Sequence, residues 1–352
     1  MQKIKQSRFY ELDLMRFLAA LAVLFYHYTF ASNRMMRTPF FGIDKISRYG
    51  YLGVDMFFMI SGYVVLMSSM HKTPKYFVIS RITRLYPAYW ICCLITFTFL
   101  YFSHIQLQGA APTTFKLLAI NLTMFQEFLG KENLNGVFWT LTYELGFYFI
   151  ILVVAALKLW KSLLIIILLW LLYTFSINLD AAKNAFSFFL IPKYSCSFIA
   201  GMLFYLWKIN YKKKWKLICL LILCFAINVK NNQWITADMN HFYQAKNIFS
   251  SYIVLTCQSI FYLFFALSAG NRLNFDFLQP TARLGKLTYP LYLVHGFGVG
   301  FFLLWSNVIN KYVLLLMATG FSIFLSFLIY HFVEEKFKIR FKQVLLKLSD
   351  KI

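Results

Sequence analysis

Charge is scarce in this sequence, and negative charge scarcest. Asp, Glu, Lys and Arg make up 14% of its 352 residues, and only 13 of those residues are acidic. A soluble domain carries about a quarter charged residues. With 60% hydrophobic residues and a mean hydropathy of +0.63, a water-soluble globule is excluded. The chain reads as an all-α polytopic membrane protein, because only helices or closed barrels satisfy their backbone polar groups in lipid. Cysteine chemistry is missing as well. Cys92, Cys93, Cys196, Cys219, Cys224 and Cys257 all fall inside apolar segments, with no CxxC or Cys/His ligand spacing. They read as small buried hydrophobes rather than disulfides or metal ligands, and no metal site is expected. The signatures of soluble enzymes are absent too: no GxSxG, HExxH, Walker or GxGxxG pattern stands between a strand and a helix. There is no internal repeat, low-complexity stretch or extra soluble domain, so a net charge of +22 does not point to nucleic acid. Basic runs between apolar segments follow the positive-inside rule and favour anionic lipid headgroups.

What is present is a series of about ten transmembrane helices, near 12–31, 50–70, 85–104, 137–157, 162–178, 185–207, 215–229, 248–269, 287–306 and 312–333. A further apolar stretch, Phe115–Phe128, is too interrupted to span and reads as a half-helix on the far side. With the N-terminus inside, cytoplasmic segments hold 23 Lys and Arg and outer loops hold 10, which places both termini in the cytoplasm. Lys3, Lys5 and Arg8 before the first apolar run mimic a signal peptide, but that run carries Arg16 and lacks a small-residue cleavage site, so it reads as retained. Lys212, Lys213 and Lys214 read as a stop-transfer anchor. The segment 334–352 mixes Phe337, Phe341, Val344, Leu345 and Leu348 with lysines at helical spacing and reads as a cytoplasmic amphipathic tail. The whole of 1–352 is expected to form one membrane domain.

Five constellations carry chemistry. Arg16 and His27 stand in the first apolar segment, about three helical turns and roughly 16 Å apart, close to one stripe. Ionisable groups there are costly and usually face a bundle interior or a wet cavity. An imidazole at that depth can take a proton from a hydroxyl. The structural alternatives are a snorkelling Arg and a satisfied bundle His. Arg81 and Arg84 lie on one helical face just cytoplasmic of the third span, ahead of Pro87. Paired guanidinium groups clamp phosphate oxygens, although positive-inside charge alone also explains them. In the second span Gly53, Ser61 and Gly62 allow close helix approach, and Asp55, near the outer end, is placed to pair with a cation or orient a His. Glu144 follows Trp139 within an apolar segment, where a carboxylate has to be paired, protonated or wetted. Tyr289 and His295 lie in the ninth span, while His331, Glu334 and Glu335 read as interfacial and structural.

In this order the motifs resemble the bacterial membrane acyltransferase-3 family, and the resemblance runs across nearly the whole chain. The family's Arg, ten residues, His opening is matched by Arg16 and His27. Its G-V-D-x-F-F-x-x-S-G pattern is matched from Gly53 to Gly62, R-x-x-R-x-x-P at Arg81, Arg84 and Pro87, W-[ST]-L-x-x-E at Trp139, Thr140, Leu141 and Glu144, and the late motif at Leu284, Gly285, Tyr289, Tyr292 and His295. The resemblance implies an integral membrane O-acyltransferase of the bacterial cytoplasmic membrane. It would move an acyl group, most commonly acetyl, from cytoplasmic acetyl-CoA to a hydroxyl of a cell-surface or lipid-linked polysaccharide. Because the chain stops 19 residues after its last span, it resembles members without an appended esterase domain. Arg16, Arg81 and Arg84 would hold the CoA phosphates. His27 would act as general base or acyl carrier, with Glu144 beside it in the chemistry and Asp55, Ser61, Trp139, Tyr289 and His295 as support. The expected partners are membrane lipids and the glycan acceptor. A transporter or flippase of an anionic lipid-linked substrate explains a charged intramembrane path equally well, but it should carry inverted repeats, and none is visible.

Overall fold

The computed structural model describes residues 9–32, 40–70, 72–105, 112–177, 179, 185–211, 214–244, 248–270 and 276–349. Lys3, Lys5, Arg8, Lys212, Lys213 and the last three tail residues lie outside them. All regular structure among the described residues is helical. Eight helical stretches there are long and apolar enough to cross a membrane, and a ninth is a pair bent by 51°.

The first span is α1 (Tyr10–Phe25), which widens into a π-helical turn at Tyr26–Ala31. A short α2 (Ile43–Ser47) leads through one 3₁₀ turn into α3 (Gly53–Ser69). Next comes α4 (Pro74–Ser103), started by a Thr73 side-chain cap and Pro74 in its first turn. The eight-residue α5 (Phe115–Leu122) is the half-helix that the interrupted hydropathy predicts. Its last carbonyls accept from Tyr89 and Trp90 of α4, so it starts beside the far end of α4 and stops at mid-depth. The spans α6 (Trp139–Ala156) and α7 (Leu163–Ser176) follow.

Two expectations need correction here. The segment 185–207 is not one span. It breaks at Ile191, a β-branched residue at φ 43° followed by Pro192, into α8 (Ala185–Leu190) and α9 (Ser195–Lys208). Twelve of the fourteen α9 residues are buried, so α9 is a core helix. It packs against α3 with almost no side chain between them. A Cβ on Gly62 would stand 2.0 Å from the Phe198 carbonyl oxygen, and one on Gly201 1.9 Å from that of Met59. The segment 215–229 is likewise only half of its helix. The full α10 (Lys214–Phe242) has 29 residues. That is about 43 Å of helix against about 30 Å of hydrocarbon, so its amide-rich second half overshoots the bilayer. Ten continuous spans therefore become eight, plus one bent pair and the broken α8–α9 segment.

After α11 (Ser251–Ala269), the bent pair consists of α12 (Ala282–Val294) and α13 (Gly296–Trp305), broken at His295. Side chains cover the carbonyls around the break. Tyr28 Oη donates to the His295 oxygen at 2.7 Å, Asn135 Nδ2 to that of Leu293 at 3.3 Å, and His295 Nδ1 lies 2.6 Å from that of Tyr292. This is how a broken helix is tolerated at membrane depth. Glycines make room for the covers, since a Cβ on Gly296 would strike Asn135 and one on Gly298 would strike Tyr28. Finally α14 (Lys311–Ile329) passes through a second π-helical turn, Tyr330–Glu335, into α15 (Phe337–Ser349).

Candidate active site

The starts of α1, α4 and α12 and the tail helix α15 meet at one end of the molecule, and the sequence loads all four with cations. They enclose a cavity of about 500 Å³, within the usual size of a small-molecule site. Arg16, Ser61, Arg81, Arg84, Glu144 and Tyr289 all line it. Residues scattered from the first span to the ninth thus share one chamber.

The arginines are not equivalent. Arg84 Nη1 pairs with Glu334 Oε2 at 3.2 Å, and its guanidinium lies 5.3 Å from the Tyr289 ring centre. Tyr289 is itself pinned, donating to the Leu85 carbonyl at 3.0 Å. Arg16 Nη1 stands 3.9 Å from Asp13 Oδ1, one turn earlier on α1. Arg81 has no carboxylate within ion-pair distance among the described residues. It reaches the hydroxyls of Ser80 and Ser68 at 3.2 and 3.4 Å and stacks over Phe77 and Tyr148. A guanidinium stacked on rings with its outer N–H groups unengaged by acid is preset for an anion. On the same wall Glu144 accepts from the Tyr148 hydroxyl and, at 3.3 Å, from Ser61.

Three charged lining residues escaped the sequence reading. Lys338 and Lys342 reach the cavity from α15, which had read as an interfacial tail; their four-residue spacing on one helical face was the available signal. Lys342 Nζ also donates to Tyr76 Oη at 2.9 Å, and Phe341 packs against Trp90, so the tail is docked on α4. Asp13 is the third, and it stands beside Arg16, which had been singled out.

The imidazoles lie deeper, beyond the cavity lining. The His27 and His295 rings are 5.0 Å apart, on the π-helical turn of α1 and at the α12–α13 break. Departures from α-helical geometry recur where a helix has to aim a functional group. Nδ1 of His295 is held by the Tyr292 carbonyl, and its Nε2 is buried without a partner. Among the described residues the His27 ring makes ring contacts, to Tyr26 and His295, and no hydrogen bond. One layer separates this pair from the cavity. Tyr292 lines the chamber, bonds Thr140 at 3.0 Å and packs 5.4 Å from the His295 ring. The chamber lining therefore includes Arg16 but not His27, and it ends at Tyr292, one ring short of the imidazole pair.

Two of the singled-out residues lie elsewhere. Asp55 faces α9, where the Ser197 hydroxyl donates to it at 2.9 Å. Trp139 packs on Tyr143 and Tyr194 rather than lining the cavity. No group of three or more His, Cys, Asp or Glu side chains gathers to hold a metal among the described residues.

Comparison with known proteins agrees with this architecture. A family model described as an acyltransferase domain matches residues 9–331. The chain is 27% identical over 176 residues to the peptidoglycan O-acetyltransferase OatA of Listeria monocytogenes serovar 1/2a, covering 45% of this chain and 24% of that protein. It is 28% identical over 192 residues to the O-acetyl transferase of Shigella phage Sf6, covering 51% of this chain and 56% of that one. The chain thus spans about a quarter and just over half of these two relatives. No solved structure matches it.

Proposed function

We propose, on the premise that this chain belongs to the membrane acyltransferase-3 family, that it carries an acetyl group from acetyl-CoA to a hydroxyl of a cell-surface or lipid-linked polysaccharide. Its place is the bacterial cytoplasmic membrane, with the arginine face and both termini in the cytoplasm. The observation that carries this reading is the single chamber in which Arg16, Arg81, Arg84, Lys338 and Lys342 surround an opening that ends one ring from two imidazoles.

The cations at the mouth hold the donor's phosphates, Arg81 foremost because no acid occupies it. The extended thiol arm then lies along the chamber toward Tyr292. The Tyr292 ring has to shift for the thioester carbonyl to reach His27. His27 takes the proton of the acceptor hydroxyl as the oxygen attacks the carbonyl carbon. The C–S bond breaks, and the sulfur takes the proton that His27 returns and leaves as the thiol of CoA. His295 is the positioning residue. With Nδ1–H spent on the Tyr292 carbonyl, its unpartnered Nε2 is left as the acceptor available to His27, and a bond made there during turnover would fix which His27 nitrogen faces the acceptor. Glu144, held by Tyr148 and Ser61, balances the arginine charge in the wall.

His27→Ala in full-length protein reconstituted into vesicles tests this. Transfer of labelled acetyl from acetyl-CoA to glycan should fall by about 100-fold or more, with insertion and melting temperature unchanged. Transfer at the original rate sinks the proposal. Glycan movement without acylation would favour a transporter. A broken span is a transporter device too, but transporters leave the freed carbonyls open to ions. Here side chains cover the three around His295.

A further inference from the structure

At the end of the molecule opposite the arginine chamber lies a second and larger opening of about 1270 Å³. It is built by the overshooting half of α10 and the start of α11. The reason it exists is legible in α10. Gln233, Ala237 and Asn240 recur at four- and three-residue spacing on α10 and so form one stripe, and Gln244 stands in the turn just past the helix end. Asn240 ties this stripe to the facing strand of chain, its amide bonding the Phe249 backbone at 2.9 and 3.2 Å.

The lining is mostly polar. It offers the amides of Gln233 and Gln244, the Ser251 hydroxyl, the His241 ring and the Tyr252 ring, 83% exposed on the rim. Among the described residues no Asp, Glu, Lys or Arg lines it, although His241 does. Amides and hydroxyls both donate and accept, which matches a ligand whose groups do the same.

The cleft also leads to the chemistry. Its wall residue Phe249 packs 5.6 Å from Tyr51 and 5.9 Å from Tyr243, and Tyr243 Oη is 2.7 Å from Tyr26 Oη. Tyr26 is the neighbour of His27, ring to ring at 5.0 Å. From Arg16 to Tyr26 is ten residues, about 15 Å of helix, so the two openings approach the imidazole pair from opposite ends of α1.

We propose that this cleft is the acceptor subsite and that it takes a hydroxyl-rich chain, a glycan segment, whose reacting hydroxyl reaches His27 past the Tyr26–Tyr243 pair. The assignment rests on the acyl-transfer reading above. Ala237 is exposed at the centre of the stripe, so Ala237→Trp fills the cleft without entering the core. The assay uses full-length protein in vesicles, acetyl-CoA, and surface glycan extracted from cells lacking this chain. The glycan concentration for half-maximal acetylation should rise at least tenfold in Ala237→Trp and severalfold in Tyr252→Ala, while half-saturation by acetyl-CoA stays within twofold. If Ala237→Trp matches the unaltered protein across the glycan titration, the cleft assignment is overturned and the acyl-transfer reading stands. A parallel loss of acetyl-CoA saturation overturns it equally. If the unaltered protein acetylates no glycan, the acyl-transfer reading itself fails.

Discussion

Arg81 and Arg84 are one helical turn apart and carry the same charge, yet the fold gives them different work. Glu334, its side chain 7% exposed, is paired with Arg84, and its Oε1 has no other partner. Arg84→Ala leaves that acid buried and alone. A fully buried pair broken this way costs about 3–5 kcal/mol, and the partly exposed Arg84 brings the expectation to about 2 kcal/mol. Arg84→Ala should therefore lower the melting temperature, and adding Glu334→Gln should restore most of it. Arg81→Ala should leave melting within a degree or two and instead raise half-saturation by acetyl-CoA about tenfold, roughly 1.4 kcal/mol of binding. Equal effects of the two on melting would refute the distinction. The sequence shows both arginines as a phosphate clamp but not this division, because the partner acid lies 250 positions away. The same limit applies to Asp55, whose position inside the membrane is plain from hydropathy while its direction, toward Ser197, is set by α9.

At the scale of elements, hydropathy reads the long spans well and the interruptions badly. It treats 185–207 as continuous because Ile191 and Pro192 are apolar, although their backbone breaks the helix. It ends α10 near residue 229 because the amides that follow are polar, although the helix continues to Phe242. It casts the tail as lipid-facing because amphipathicity does not say what covers the apolar side, and here Trp90 of α4 takes part of it. The close approach of α3 and α9 was visible as small residues and is quantified by the backbone. Gly201→Val should cost about 3 kcal/mol, since its first side-chain carbon has no space at all. Gly320, with nothing within 4 Å, is the control: Gly320→Ala should hold or raise the melting temperature by helix propensity alone. Thermal melting in detergent compares them, and a Gly201→Val protein as stable as Gly320→Ala would refute the packing argument.

For the molecule as a whole, the proposed chemistry needs two openings on two sides of one membrane. Introduced thiols test this. Lys342→Cys sits at the arginine chamber and Tyr252→Cys at the rim of the amide cleft. An impermeant maleimide should label Tyr252→Cys in intact cells and Lys342→Cys only in inverted vesicles. Labelling of both from one side would reverse the topology drawn from the distribution of Lys and Arg. That distribution was readable from the sequence, and so was the convergence of five motifs. The two openings were not, because each is made by residues from distant segments meeting at a helix end.

Tyr292 lies between the chamber and the His295 ring, and the Tyr26–Tyr243 contact lies between the amide cleft and His27. A catalyst that admits reagents from both sides of an energised membrane runs the risk of becoming a proton leak. In the proposed reaction these rings would serve as the two doors of an airlock, one staying shut while the other admits donor or acceptor, so that the ion gradient would outlast each turnover.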